Sequence, residues 1–404
     1  MSFATLDDAD VKGKRVLVRV DFNVPIKDGE VADVSRIERN SPTIIEIADR
    51  GGKVILLSHY GRPKGRDPRE SLKPVVAAVA RIIGRPIAFA DDCVGAAAEK
   101  AVAAVRPGDV LCLENTRFHP GEEKNDAAFA AQLARLGDIF VDDAFSVAHR
   151  AHASVEAIGH LLPAYAGRAM QEELQALEKA LHAPERPVAA IVGGAKVSTK
   201  LDLLGNLISK VDTLIIGGGM ANTFLAAQGK WVGKSLCETD LIPAARDILA
   251  SAKSLKREIV LPVDAVVAPK LAAHAASRIV PVDAVGATDM ILDIGPRTVE
   301  QVVSVLARVK TLVWNGPFGA FEHEPFDNGT VEVAEAAAEL TAAGKLVSIA
   351  GGGDTMAALN LAGVTGRFTY VSTAGGAFLE WMEGKALPGV EVLKLSPTAA
   401  ARRG

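Results

Sequence analysis

Short runs of Val, Ile and Leu alternate with alanine-rich stretches along the chain, and this alternation restricts the fold more than any other feature. The alanine-rich stretches include residues 74–83, 127–136 and 331–343. Such alternation is typical of βαβ units and a parallel sheet. It predicts strands near 15–20, 53–57, 87–90, 110–113 and 138–142, and then near 188–192, 212–216, 259–263, 311–314, 345–349 and 368–371.

The length of 404 residues exceeds what one hydrophobic core usually serves. A helical stretch at 169–180 precedes prolines at 184 and 187, which cannot continue a helix. We therefore expect an α/β protein with two doubly wound, Rossmann-like parallel-sheet domains that face each other across a hinged cleft. The expected parts are residues 1–168, a hinge helix and linker at 169–187, and residues 188–386, with 387–404 docked back on the first domain.

Composition excludes several classes of protein. A net charge of −4 gives no general attraction to nucleic acid or to an anionic membrane. The three cysteines, Cys93, Cys112 and Cys237, form no Cys-x-x-Cys pair, which argues against a disulfide framework or a zinc site. The first residues lack a secretory signal pattern, and no apolar run is long enough to span a bilayer. A cytoplasmic location is expected.

The residues that follow the predicted strands differ between the two halves of the chain. In the first half they are charged or polar, as in residues 21–23, 58–62 and 114–117. Beyond residue 185 they are glycines, at 193–194, 217–219, 351–353 and 375–376. Ligands bind outside the carboxyl ends of parallel strands. The first half therefore offers cations to a small anion, and the second offers backbone amides to a phosphate ligand.

The candidate anion-binding side chains of the first half lie mostly at strand ends or just after them. For Arg19, whose charge lies on a buried strand, we expect an ion pair with Asp21 or a neighbour. Asp21 and Asn23 are expected to bind hydroxyl groups of a ligand. Guanidinium groups hold carboxylate or phosphate oxygens in pairs. His59, His149 and His152 could be bases or phosphate donors, although a satisfied structural role is favoured for His152. The remaining candidates are Arg36, Arg62, Arg117 and Arg150.

The glycine runs of the second half fit neither of two common nucleotide motifs. Residues 193–200 lack the spacing of a P-loop, and 217–219 lack Gly-x-Gly-x-x-Gly. Glycines nevertheless let backbone amides approach phosphate oxygens, and a following helix adds a favourable dipole. Asp354 would place a carboxylate there for Mg²⁺. A single glycine run would indicate only a tight turn, but four runs after strands favour a nucleotide site.

Together these segments resemble the phosphoglycerate kinases over essentially the whole chain. The matching segments are 19–25, 58–63, 113–118 with 122–123, 143–145, 148–154, 193–200, 217–221, 293–296, 314–317, 351–355 and 372–380. Two places depart from the family pattern: Ser146-Val147 replaces the common Gly-Thr, and Ala374 replaces the first of three glycines. Neither change removes a charged group, so we expect activity to be retained.

The resemblance implies reversible, Mg²⁺-dependent phosphoryl transfer from 1,3-bisphosphoglycerate to ADP, which gives 3-phosphoglycerate and ATP. The implied glycerate-binding residues are Asp21, Asn23, Arg36, His59, Arg62, Arg117 and Arg150. The implied nucleotide-binding residues are Gly194, Lys200, Gly218, Asn315, Glu322, Gly351, Gly352, Gly353, Asp354 and Thr355, with Asp354 as the metal ligand. The implied catalytic groups are Arg36, Lys196, Lys200 and the amides of Gly353 and Gly376. Family members are commonly isolated subunits, so a monomer is expected.

The acceptor carboxylate is already ionised at neutral pH, so this reaction needs no general base. Positioning and electrostatic stabilisation of the transferring group would then supply the catalysis. Two other classes remain open. One is a different kinase of an anionic substrate, and the other is a two-domain binding protein without catalysis. An assay of ATP formation from 1,3-bisphosphoglycerate distinguishes them.

Overall fold

The structure, a computed structural model, describes residues 3–394. These residues form two units, each with its own parallel sheet. Residues 3–175 and 386–394 belong to the first unit, and residues 176–385 belong to the second. The expected fold class, α/β with two parallel-sheet domains, is confirmed.

A six-stranded parallel sheet organises the first unit, in the order β5-β6-β4-β1-β7-β8, and β2 and β3 form a separate hairpin. The strands are β1 (Arg15–Arg19), β2 (Ile26–Lys27), β3 (Glu30–Val31), β4 (Lys53–Leu57), β5 (Ile87–Ala90), β6 (Val110–Leu113), β7 (Ile139–Asp142) and β8 (Ala164–Ala166). The helices are α1 (Ser35–Asp49), α2 (Lys73–Ile83), α3 (Gly95–Ala104), α4 (Ala127–Ala134) and α5 (Arg168–Leu177), of which the last continues into the second unit.

The second unit also has a six-stranded parallel sheet, in the order β11-β10-β9-β15-β16-β17. The strands are β9 (Val188–Val192), β10 (Thr213–Ile216), β11 (Glu258–Val260), β12 (Asp264–Ala268), β13 (Arg278–Pro281), β14 (Met290–Ile294), β15 (Thr311–Asn315), β16 (Val347–Gly351) and β17 (Tyr370–Ser372). The helices are α6 (Leu201–Lys210), α7 (Gly218–Ala227), α8 (Ile242–Ser254), α9 (Pro296–Arg308), α10 (Asn328–Ala342), α11 (Gly353–Leu361) and α12 (Gly375–Met382).

The order of the second sheet creates a ligand crevice. Successive strands run outward from β9 in one direction as far as β11, and outward from β15 in the other as far as β17. The connections after β9 and β15 therefore leave in opposite directions. A crevice opens at such a reversal, outside the carboxyl ends of the two strands.

The central strands are buried on both faces. On β1, the consecutive residues Val16, Leu17 and Val18 are all fully buried, although alternate side chains of a strand point to opposite faces. Helices that cover both sides of a parallel sheet produce this pattern. The continuous apolar runs in the sequence are therefore explained by burial on two sides.

The second unit also contains a three-stranded antiparallel sheet, with the order β13-β12-β14, that was not predicted from the sequence. The strand expected at 259–263 was wrong at its end, because β11 stops at Val260 and β12 starts separately at Asp264. Pro262 lies between them and has no N–H to donate to a sheet. Strand β8 and the β2–β3 hairpin were also not predicted, since each is only two or three residues long.

The chain after residue 386 returns to the first unit. A short helix, α13 (Pro388–Glu391), follows Leu387. The amide of Gly389 donates to the carbonyl of Ala148 at 2.8 Å, and the amide of Ala4 donates to the carbonyl of Leu393 at 3.1 Å. Residues 395–404 of the segment expected to dock here lie outside the described residues.

Within residues 3–394, no helix combines the length and the apolar character that crossing a bilayer requires.

Replacing Trp314 by alanine is expected to lower the free energy of unfolding by about 3–5 kcal/mol, because truncating a buried aromatic side chain leaves a cavity. Trp314 is 1% exposed, and its ring meets those of Phe318 and Phe368 at centroid distances of 5.8 and 6.2 Å. Urea denaturation measures the loss. The matched control is Trp231→Ala, since Trp231 is 65% exposed and its loss should cost less than about 0.5 kcal/mol. Equal losses for the two variants would refute the packing argument.

Candidate active site

A cavity of about 300 Å³ lies at the carboxyl ends of the first sheet. It is lined by Asp21, Asn23, Arg36, His59, Gly61, Arg62, Arg117, Ser146, Val147 and Arg150. The structure therefore brings together, in one cavity, every residue proposed from the sequence to bind the glycerate. Four guanidinium groups and one carboxylate make the cavity positively charged, which suits a ligand with several anionic oxygens.

Arg36, at the start of α1, ties together the loops that line this cavity. Its Nη1 donates to Asp21 Oδ2 at 3.0 Å and to the carbonyl of Asn23 at 2.9 Å. Asn23 Oδ1 in turn accepts from the amide of Gly61 at 2.9 Å, which joins the loops after β1 and β4. The position of Arg36 is thus set before any ligand binds.

The ion pair expected between Arg19 and Asp21 or a neighbour is not present. Strand β1 ends at Arg19, so Asp21 does not follow the alternation of a strand, and it pairs with Arg36 instead. Arg19 is fully buried; its Nε donates to Ser154 Oγ at 2.9 Å, and its Nη2 lies 3.1 Å from His59 Nδ1. Within residues 3–394 no carboxylate forms an ion pair with Arg19.

His59 is a neutral hydrogen-bond donor rather than a base. Burial, and then the charge of Arg19, hold the pKa of His59 well below its usual value. Because a guanidinium group cannot accept a hydrogen bond, His59 Nδ1 must accept from Arg19, which places the ring proton on Nε2. His59 therefore brings an N–H group to the cavity wall.

His152 differs from the expectation of a structural histidine whose hydrogen bonds are all satisfied. Burial, and then the charge of Arg117, lower the pKa of His152 to about 4. Its Nδ1 is buried and has no hydrogen-bond partner among the residues described, so this histidine is not fully satisfied. This lowered pKa was not predictable from the sequence, because its causes are burial and the surrounding arginines rather than a neighbour along the chain.

The other arginines of the cavity differ in how firmly they are held. Arg117 Nη1 donates to the carbonyl of Gly61 at 2.6 Å, and Arg117 Nε lies 3.2 Å from Glu123 Oε1. Arg62 and Arg150 form no ion pair with any acidic side chain in the described part of the chain. Their charges remain available to an anionic ligand.

A second cavity, of about 290 Å³, lies in the second unit at the carboxyl ends of β9 and β15. Of the residues proposed to bind nucleotide, it is lined by Gly194, Gly218, Glu322 and Asp354. Its walls also include the apolar residues Leu236, Leu271, Met290, Leu292, Phe318 and Phe321. Mostly apolar walls with a few polar groups suit the flat ring of a nucleoside. These residues were not predicted from the sequence, because apolar residues in strands and loops carry no specific signal.

Lys200 does not line that cavity but joins the loops beside it. Its Nζ donates to Asn315 Oδ1 at 2.5 Å and to the carbonyl of Gly193 at 2.7 Å. Asn315 Nδ2 and Thr355 Oγ1 each donate to the carbonyl of Gly351 at 2.8 Å. Burial lowers the pKa of Lys200 to about 8, although the charge of Asp354 opposes this shift. The ammonium group of Lys200 thereby connects the ends of β9 and β15, and the side chain of Asn315 connects them to the end of β16.

Two helix N-termini meet next to this network. Gly352, before α11, has φ of +103°, and a Cβ there would lie 2.8 Å from Asn315 Nδ2. A Cβ on Gly375, the first residue of α12, would lie 3.4 Å from the amide nitrogen of Gly353. The first amides of a helix have no partner within it and favour anions. Gly353 and Gly376 are therefore placed in the first turns of two adjacent helices.

The departure at Ala374 creates no strain. Its φ of −101° is ordinary for a residue with a side chain, and its amide donates to Ser372 Oγ at 3.2 Å. Val147, the other apolar departure, is buried and packs with Ala144 and Val155.

Comparison with known proteins identifies the family. The family model described as phosphoglycerate kinase matches residues 6–385. The chain belongs to the phosphoglycerate kinase family. It is 66% identical over 393 residues to the phosphoglycerate kinase of Bradyrhizobium diazoefficiens, and the alignment covers 97% of this chain and 99% of that protein. It is 65% identical over 394 residues to that of Rhodopseudomonas palustris, with coverage of 98% and 99%.

Solved structures of phosphoglycerate kinases have the same fold. That from Coxiella burnetii matches with a TM-score of 0.91 at 42% identity, over 97% of this chain and 99% of that one. That from Pyrococcus horikoshii matches with a TM-score of 0.80 at 30% identity, over 96% and 98%. The agreement extends over both units.

Phosphoglycerate kinases depend on Mg²⁺, and Asp354 suits such an ion. It is exposed in the first turn of α11 and lines the second cavity. Its carboxylate has no hydrogen bond or ion pair to any other residue within 3–394. Mg²⁺ is held by carboxylate oxygens together with substrate phosphates, so a free carboxylate beside a glycine-rich loop offers a suitable ligand.

Proposed function

We propose that this chain transfers a phosphoryl group reversibly from 1,3-bisphosphoglycerate to ADP, giving 3-phosphoglycerate and ATP in the presence of Mg²⁺. It acts as a phosphotransferase with a carboxyl group as acceptor. The observation that carries the proposal is the cavity of the first unit, which collects four arginines around Asp21 in a chain of this family. Neither a binding protein nor a different kinase accounts for the family match over residues 6–385.

The glycerate is proposed to bind in the first cavity. Its phosphate and carboxylate oxygens are matched by the guanidinium groups of Arg36, Arg62, Arg117 and Arg150. His59 adds an N–H donor that stays neutral at physiological pH. Asp21 and Asn23 supply oxygen atoms, which a hydroxyl group of the ligand can contact.

The nucleotide is proposed to bind in the second unit. The base and ribose would occupy the apolar cavity, with Glu322 at its wall. The phosphates would lie along Gly194, Gly218 and residues 351–355, close to the first turns of α11 and α12. Asp354 would hold the Mg²⁺ that these phosphates bind.

The residues proposed to act on the transferring group are Arg36, Lys196, Lys200 and the amides of Gly353 and Gly376. Because the acceptor carboxylate is already ionised, no side chain has to remove a proton. Positive charge and hydrogen-bond donors around the phosphoryl oxygens are then sufficient. Lys196 is exposed and forms no ion pair with another described residue, so its charge is free for this purpose.

The two substrates would have to meet for the reaction to occur. We propose that residues 169–187 serve as the hinge between an N-terminal domain (1–168, with the C-terminal segment) and a nucleotide-binding domain (188–386). Closure would exclude water, which would otherwise hydrolyse the reactive acyl phosphate. A cytoplasmic monomer is proposed as the working form, and sedimentation of the purified protein tests the monomer.

A coupled assay tests the proposed activity. ATP should form from 1,3-bisphosphoglycerate and ADP with Mg²⁺, and addition of excess chelator should abolish its formation. Binding of 3-phosphoglycerate without any turnover would instead support a non-catalytic binding protein. Turnover of a different anionic acceptor, with none of 3-phosphoglycerate, would support another kinase.

A further inference from the structure

Among residues 3–394, Asp21 is the only acidic side chain that lines the first cavity, and Ser146 contacts it. Ser146 lies in the short turn Phe145–Val147 after β7, and its hydroxyl donates to Asp21 Oδ2 at 2.5 Å. A glycine at this position would have no side chain to make this bond. Ser146 therefore adds a contact to the cavity that its backbone alone could not provide.

The hydrogen bonds to Asp21 leave one acceptor direction open. Oδ2 accepts from Ser146 Oγ and from Arg36 Nη1, at 2.5 and 3.0 Å, and Oδ1 accepts from the amide of Asn23 at 3.1 Å. A carboxylate has about four lone-pair directions, two on each oxygen. Among the contacts of residues 3–394, the direction left without a donor is thus on Oδ1.

The chemistry of the other wall residues determines what this acceptor can bind. The guanidinium groups and the His59 N–H are donors, and they attract anionic oxygens. A carboxylate repels such oxygens, but it accepts from a hydroxyl group. Asp21 is 6% exposed, so an unpaired acceptor there is costly unless a ligand supplies the donor.

We propose that Ser146 is a specificity-determining positioning residue. By holding Oδ2 together with Arg36, it fixes the rotation of the Asp21 carboxylate and directs Oδ1 at the hydroxyl group of the substrate. The site then selects a phosphorylated hydroxy acid over the same acid without its hydroxyl. This inference rests on the proposed function, because it concerns how the glycerate is recognised.

The test compares two acceptors in the ATP-consuming direction: 3-phosphoglycerate and 3-phosphonooxypropanoate, which lacks the hydroxyl. For Ser146→Ala, kcat/KM for 3-phosphoglycerate should fall about threefold to tenfold, mainly through KM, as expected for one lost hydrogen bond. For the deoxy acid it should change less than about twofold. Ser146→Thr keeps the hydroxyl and should restore discrimination. Ser41→Ala is the control, since the hydroxyl of the half-buried Ser41 donates to the backbone carbonyl of Glu38 within α1 and Ser41 does not line the cavity.

A second set of variants isolates the contact itself. In an Asp21→Ala background, Ser146→Ala should have no further effect on discrimination, because its partner is already absent. Equal losses with both acceptors, or no loss with either, would overturn the role assigned to Ser146. A wild-type protein inactive on both acceptors would overturn the proposed function first. Wild-type activity with unchanged discrimination in Ser146→Ala would overturn this inference alone.

Discussion

Arg36→Ala is expected to lower kcat by at least about a hundredfold while the protein remains folded. Arginines that contact a transferring phosphoryl group contribute roughly 10³–10⁵ in rate in other enzymes. The two hydrogen bonds of Arg36 Nη1 leave the rest of its guanidinium group available at the cavity wall. Its charge should matter more in the transition state than in the ground state, so kcat should fall more than KM rises.

Steady-state kinetics with both substrates measures this effect. Arg81→Ala is the matched control, because Arg81 is an exposed arginine on α2, outside both cavities. Circular dichroism should show equal folding of the two variants. Near-normal turnover in Arg36→Ala would remove Arg36 from the chemistry and leave it only a structural partner of Asp21.

Lys200→Met is expected to lower kcat by roughly 10²–10³, the range observed when one preorganised electrostatic contact to a transition state is removed. Methionine has a similar length but no charge. It also loses the bonds that connect Gly193 with Asn315, so the loops after β9 and β15 lose a shared contact. Lys253→Met, at an exposed position of α8, provides the control.

The pH profile separates the charge of Lys200 from its structural role. Its pKa is lowered to about 8, so the side chain is charged below that pH and neutral above it. If the charge binds phosphate, kcat/KM for the nucleotide falls as pH rises through about 8, because this parameter reports the free enzyme. The falling limb should be absent in Lys200→Met. An unchanged limb in that variant would assign the titration to another group.

The chemistry at the strand ends was predictable, but the pairing of the charges was not. Arg36, Arg62, Arg117 and Arg150 lie far apart along the chain, yet a parallel sheet brings the loops after its strands to one edge. Which of them faces Asp21 depends on where β1 stops. Because β1 ends at Arg19, Asp21 forms an ion pair with Arg36, and Arg19 contacts His59 instead. A local sequence pattern does not reveal where the strand ends or which of these pairs forms.

The second unit shows the limit of sequence patterns more clearly. Glycine runs marked the loops that carry Gly194, Gly218 and Asp354, because glycine is favoured where backbone approaches closely. The apolar wall formed by Leu236, Phe318 and Phe321 was missed, since apolar residues are ordinary in any core. The antiparallel sheet of β12, β13 and β14 was missed because its strands do not alternate with helices.

The central claim is that a small anion and a nucleotide are held by different units of one chain. A crystal structure with 3-phosphoglycerate and a non-hydrolysable ATP analogue tests it most directly. We expect the glycerate against Arg62 and Arg117 in the first unit, and the nucleotide phosphates at Gly353 in the second. Both ligands bound to the same unit, or a glycerate that contacts none of the four arginines, would contradict the account.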